Sequence, residues 1–236
     1  MNTDGRIMNF LSRLGDMFLL NILYLISCIP VVTIGAATTA LYYNMLKMAE
    51  NRESYVWRDY WKSFRQNFRQ ATVVWMILLA CILVLGADLL LLGGMSEALG
   101  AVTALIVIVL SIFLIMMGVY IFPVLARFDN TVKNTFKNAL IMAVRHLPST
   151  IVIVILHGLP LLLAMVSIQV FIRGILVVLL FTVSILAYFQ SKLFIRIFSN
   201  YYPKNKEYDF VHNSKGGVIS CLRKRSNTDI WRSTGQ

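Results

Sequence analysis

Long apolar runs alternate along this chain with short, polar and mostly basic stretches. A helix rises about 1.5 Å per residue and the hydrocarbon layer of a bilayer is about 30 Å thick, so about 20 apolar residues with few charges mark a span. Five runs meet that length: 17–36, 71–92, 101–126, 149–172 and 174–191. The last extends to 198 if Lys192 and Arg196 snorkel to the interface. The pattern predicts an all-α, polytopic transmembrane helical bundle of about five spans within residues 1–202, followed by a basic, disordered cytoplasmic tail over 203–236.

A second periodicity lies between the runs. Over 55–70 the large apolar residues Trp57, Tyr60, Trp61, Phe64 and Phe68 recur at helical spacing, while Arg58, Lys62, Arg65 and Arg69 fall on other faces. This predicts an interfacial amphipathic helix. The next basic stretch repeats the design with Phe128, Val132, Phe136, Leu140 and Val144 at every fourth residue, flanked by Lys133, Lys137 and Arg145. Residues 65–71 (RQNFRQA) and 133–139 (KNTFKNA) share the order basic, amide, any, Phe, basic, amide, Ala. Each copy leads into two spans, as in a parallel repeat, although two basic juxtamembrane helices can also agree by chance.

The first run is interrupted. Pro30 lies inside it and Gly35 follows, and a proline ring conflicts with the carbonyl four residues back. Either 17–36 crosses the bilayer as a broken helix, or 16–29 climbs, 30–35 turns and 36–48 descends as a re-entrant hairpin. A third reading is a cleaved signal peptide ending at Gly35-Ala36-Ala37, which the positive-inside rule opposes, because it would place six basic residues outside.

Composition fits a membrane protein: 58% of residues are hydrophobic and only 14% charged, where a soluble domain carries about 25%. The net charge of +11 would suggest nucleic acid in a soluble protein, but most of the basic residues lie between the apolar runs and read as membrane-surface charge. With five crossings, three Lys or Arg (Arg6, Arg13, Arg173) fall on one side and nineteen on the other. The long loops and the C-terminus are therefore expected in the cytoplasm, in either version of the first run. Cys28 and Cys81 lie within spans and Cys221 in the tail, which is no disulfide framework.

Catalytic signatures are missing from the sequence: no G-x-x-x-x-G-K-[ST], no G-x-S-x-G, no H-E-x-x-H and no paired-cysteine motif. No cofactor, no metal site and no enzymatic activity are expected. Within the spans, Asp88 stands about five residues from the outer end of its run, near enough for water or Arg173 to satisfy it. An Asp88–Arg173 structural pair is expected, with a substrate or proton site as the alternative. His157 and Gln169 are the other polar groups able to face a pathway, and Asn21, Thr33, Thr38 and Thr39 line the interrupted run. Partner-docking candidates are Trp57, Tyr60, Trp61, Phe64, Arg65, Phe68, Phe128, Val132 and Phe136.

Three blocks, LISCIPVVTIGAATTALYYNMLK from Leu25, YVWRDYWKSFRQNFRQA from Tyr55 and ARFDNTVKNTFKNAL from Ala126, resemble the YesL family of bacterial integral membrane proteins of unknown function. The resemblance covers roughly residues 10–202. It implies a plasma-membrane protein associated with carbohydrate uptake, since the genes of that family often neighbour those for sugar-binding proteins and permeases of ATP-driven importers. It carries over no catalytic residue. An accessory or assembly role, with importer permease or ATPase subunits as partners beside the lipid bilayer, is the expectation; a subunit that itself lines a solute pathway is the alternative.

Overall fold

The computed structural model describes residues 3–52, 55–91, 97–166 and 183–201, so the tail over 203–236 lies outside the described residues. Among the described residues seven α-helices follow in order: α1 (Thr3–Ser27), α2 (Ile34–Ala49), α3 (Val56–Leu91), α4 (Glu97–Arg127), α5 (Val132–Arg145), α6 (Leu147–Val166) and α7 (Val183–Phe198). Short 3-10 turns at Val31–Thr33 and Ser199–Tyr201 complete the pattern, and no strand occurs among the described residues. Two helices among the described residues, Val56–Leu91 and Leu99–Arg127, are long and apolar enough to cross a membrane, and a third joins them if the bent α5–α6 pair counts as one span.

The run 17–36 is not one helix. Pro30 stops α1 at Ser27, because its ring and missing N–H cannot continue the hydrogen-bond ladder. The carbonyls released there find other donors: the Thr33 hydroxyl donates to Ser27 O at 2.5 Å and to Pro30 O at 2.7 Å, and the Trp75 indole donates to Val31 O at 2.8 Å. The chain then doubles back. Arg13, near the middle of α1, donates to the Asn51 side chain just beyond α2 at 2.7 Å, which ties α1 to the end of α2 across 38 residues. Residues 3–49 are thus a helical hairpin, not one helix over 17–36.

From α2 the chain reverses again through Asn51, whose φ of 56° lies in the left-handed region that Asn tolerates better than most side chains. α3 then runs antiparallel to α2. Lys47 pairs with Asp59 at 2.5 Å at one end, and Gly35 meets Ala71 and Trp75 at the other. The basic aromatic stretch 55–70 is therefore no separate helix along the interface. Residues 56–85 contain neither Pro nor Gly, and the ladder runs unbroken from Val56 to Leu91, about 54 Å of helix.

α4 returns beside α3, with Trp75 and Phe122 in ring contact at 6.3 Å. Thr131 caps α5, accepting from the Asn134 N–H, and at His146 the axis turns by 103° into α6. α2 is the centre of the bundle. Eleven of its sixteen residues are buried, among them Leu41, Tyr42, Met45 and Leu46. Phe194 on α7 joins this core between Tyr42 and Tyr120, at ring distances of 6.0 and 5.2 Å. The outer parts of α3 and α4 instead expose Leu83, Val84, Leu90, Leu105 and Ile108, a continuous apolar surface suited to lipid.

Candidate docking surface and intramembrane polar groups

The first part of α3 sorts its residues into three adjacent stripes, as 3.6 residues per turn requires. Val56, Tyr60, Ser63 and Ala71 are buried inward. Trp57, Trp61, Phe64 and Phe68 form the next stripe, a ladder of rings with centroids 6.1, 5.5 and 5.6 Å apart. Arg58, Lys62, Arg65 and Arg69 form the third, all exposed, and none makes an ion pair with a described residue. Of the expected docking aromatics, Tyr60 is 0% exposed and belongs to the core, where its hydroxyl points to Leu23 O. Trp61 and Phe64 are half-buried, whereas Trp57 is 58% and Phe68 36% exposed.

The second basic stretch places its apolar residues differently. Phe128, Val132 and Phe136 pack against the core, Phe128 edge-on to Phe198 at 5.2 Å. Lys133, Lys137, Leu140, Val144 and Arg145 are exposed. The two copies of the short repeat touch, since the Gln70 amide donates to Thr135 Oγ1 at 3.5 Å as well as to Asn130 O just ahead of the second copy, and both matched alanines, Ala71 and Ala139, are fully buried. They do not lead on alike. The first continues straight within α3, while the second ends at the 103° turn.

Asp88 is half-buried near the end of α3 and makes no hydrogen bond or ion pair with a described residue; Arg173 and Gln169 lie outside the described residues. His157 is placed in a polar chain. Its Nδ1 lies 3.0 Å from Ile153 O and 2.9 Å from the Gln190 amide nitrogen, and Gln190 Oε1 accepts from the Tyr42 hydroxyl at 2.5 Å. Three helices are thus joined by one amide side chain. Thr38, Thr39 and Asn44 bond to carbonyls four residues back in their own helix, so they are occupied structurally. Asn21 is buried. An apolar groove of about 240 Å³ lies between α4 and α6, lined by Ile112, Met116, Ile151 and Ile155. Among the described residues no three His, Cys, Asp or Glu gather as metal ligands would.

Pairings the sequence reading missed tie the polar end of the bundle together. Arg127 at the end of α4 grips Glu50 with both terminal nitrogens, at 2.5 and 3.1 Å, in the two-pronged geometry that favours carboxylates. Arg52 adds a second cation to the same carboxylate at 2.8 Å. At the α5–α6 turn sits His146, its Nε2 3.3 Å from the Tyr201 hydroxyl. Partial burial, and then the neighbouring Arg145 cation, hold its pKa below the ordinary 6.5.

Comparison with known proteins adds one family. The profile described as "Protein of unknown function, DUF624" matches residues 17–89, which run from the middle of α1 through the hairpin and along almost all of α3. This is the family with which the YesL resemblance is associated, and the match covers less than half of the chain. No curated protein and no solved structure matches.

Proposed function

We propose that the chain is a multi-pass plasma-membrane protein without catalytic activity of its own, acting as an accessory or assembly factor of an ATP-driven carbohydrate importer. Its C-terminus and both basic helical stretches lie in the cytoplasm. Of the five apolar segments the first forms the α1–α2 hairpin on the cytoplasmic side, packed beside residues 59–75 of α3 so that only its tip, with Ile29, Val31 and Val32 exposed, meets the bilayer, and the other four cross it. The Arg13–Asn51 hydrogen bond supports this arrangement, because it brings the N-terminal region to the side of the 50–55 turn. Arg6 and Arg13 then join the cytoplasmic set, and of 22 Lys and Arg only Arg173 is left outside.

The observation that carries the docking role is the exposed ladder and cation stripe at the start of α3, with Trp57 58% exposed. Exposed aromatics beside arginines are the composition of protein interfaces rather than of solvated helices. The tie to a carbohydrate importer rests on the YesL resemblance. The alternative, a subunit lining a solute pathway, draws on the Tyr42–Gln190–His157 chain. A sugar path needs many converging hydrogen-bonding groups, however, and the groove between α4 and α6 is apolar apart from Thr150, whose hydroxyl already bonds Ala143 O.

The test is gentle-detergent co-purification of the tagged protein from its own host, identified by mass spectrometry. Importer permease or ATPase subunits should be recovered with wild type and fall about tenfold with Trp57→Ala plus Phe68→Ala, given the weight such aromatics carry in interfaces. A protein recovered alone contradicts the accessory role and moves the weight to the transport reading.

A further inference from the structure

We infer that the far end of α3, with Trp57, Arg58 and Lys62 at its centre, docks an acidic surface of a cytoplasmic protein and does not lie on lipid; this rests on the cytoplasmic placement proposed above. The argument is one of length. The apolar run of α3 begins at Ala71, and the helix continues below it without Pro or Gly. At about 1.5 Å per residue, Arg69 stands about 3 Å and Arg65 about 9 Å from that boundary, but Lys62 stands about 13 Å and Arg58 about 20 Å away. The headgroup layer on each side is only about 5–8 Å deep. Even a tilt of about 40° leaves Arg58 about 15 Å out. The inner half of the cation stripe can therefore reach phosphates, whereas the outer half stands in water.

What stands in water there is unlike an ordinary solvated face. Tyr55 is 78% and Trp57 58% exposed, and Trp57 is braced by its ring contact with Trp61. Among the described residues the nearby carboxylates are engaged elsewhere, Asp59 by Lys47 and Glu50 by Arg127. Arg58 and Lys62 are left without an acidic partner among the described residues. The buried stripe of Val56, Tyr60 and Ser63 faces the bundle, and on the opposite side Arg58, Lys62, Arg65 and Arg69 are exposed. Two cations about 6 Å apart along the axis, flanked by braced aromatics, complement a partner helix or edge carrying Asp and Glu.

Photo-crosslinking of the full chain in its native membrane tests this. Benzoylphenylalanine replaces Trp57, and in a control Leu90, which is 85% exposed on the apolar part of α3. The expected result is a discrete protein adduct at 57, identified by mass spectrometry, and lipid adducts at 90. Arg58→Glu plus Lys62→Glu should cut the protein adduct at least about tenfold, Arg58→Glu alone by less, and Arg58→Lys plus Lys62→Arg should retain it. Lipid adducts at 57, no adduct at 57, or a protein adduct indifferent to charge reversal each overturn the inference. An importer subunit in the adduct sustains both proposals. A different cytoplasmic protein whose adduct obeys the charge rule sustains this one and sinks the importer role.

Discussion

Gly35 carries more of the architecture than any other single described glycine. A Cβ built on it would lie 2.5 Å from Ala71 O and 2.7 Å from Trp75 Cβ, so α2 and α3 approach there as closely as backbones allow. Gly35→Ala should therefore cost about 1–3 kcal/mol, the range of overpacked cores, read as a lower thermal midpoint in detergent. Gly86→Ala, with nothing within 4 Å of its Cβ, should leave the midpoint unchanged or raise it slightly, since Ala favours helix over Gly. His146 gives the residue scale a pH dependence. Its native pKa is held down by partial burial and by Arg145, so the unfolded chain binds a proton more readily than the folded one. Stability is then full above about pH 6.5 and falls as pH drops toward the lowered native value. Histidine NMR titration should place His146 below the ordinary range, and Arg145→Gln should bring it part of the way back. A native value at or above the ordinary range, or no response to Arg145→Gln, would contradict that account.

Between elements, charge fixes the polar end of the bundle. Glu50 and Arg127 are 77 residues apart in sequence, mostly buried, and joined by two hydrogen bonds, so removing Arg127 leaves the Glu50 carboxylate to Arg52 alone. Arg127→Ala should therefore cost less than the about 3–5 kcal/mol of breaking an isolated buried pair. Adding Glu50→Ala should cost little more, and a thermodynamic cycle on the two positions would show the coupling. Additive losses would mean that the two side chains act independently. No periodicity could have exposed this pair, because each residue reads locally as an ordinary charge at a helix end. The break at Pro30 and the return at Gly35 were legible, since proline chemistry is local. The stripes of α3 were legible too. Which stripe faced inward was not: Tyr60 reads with the aromatic face, yet it packs beneath α1 and α2, because packing partners decide that choice.

For the whole molecule, lipid is the reason so much was readable: a span must satisfy its own backbone and face hydrocarbon, and both demands are written in composition. The separation of α3 into an interfacial helix and a span was wrong for a physical reason already present in the letters, the lack of any Pro or Gly from 56 to 85. Its continuity with the apolar run underlies the proposal that the basic aromatic stretch is a stalk standing off the membrane rather than a helix lying on it. The hairpin and the stalk together require the N-terminus and the first half of α3 on one side and the α3–α4 connection on the other. Cysteine accessibility tests this most directly, in a chain whose own Cys28, Cys81 and Cys221 are replaced by serine. Single cysteines at Met8, Arg65 and Glu97 should label from outside intact cells only at 97, with 8 and 65 reacting after the membrane is opened. Labelling at 8 from outside would restore a first crossing segment and contradict the hairpin; labelling at 65 from outside would contradict the cytoplasmic stalk.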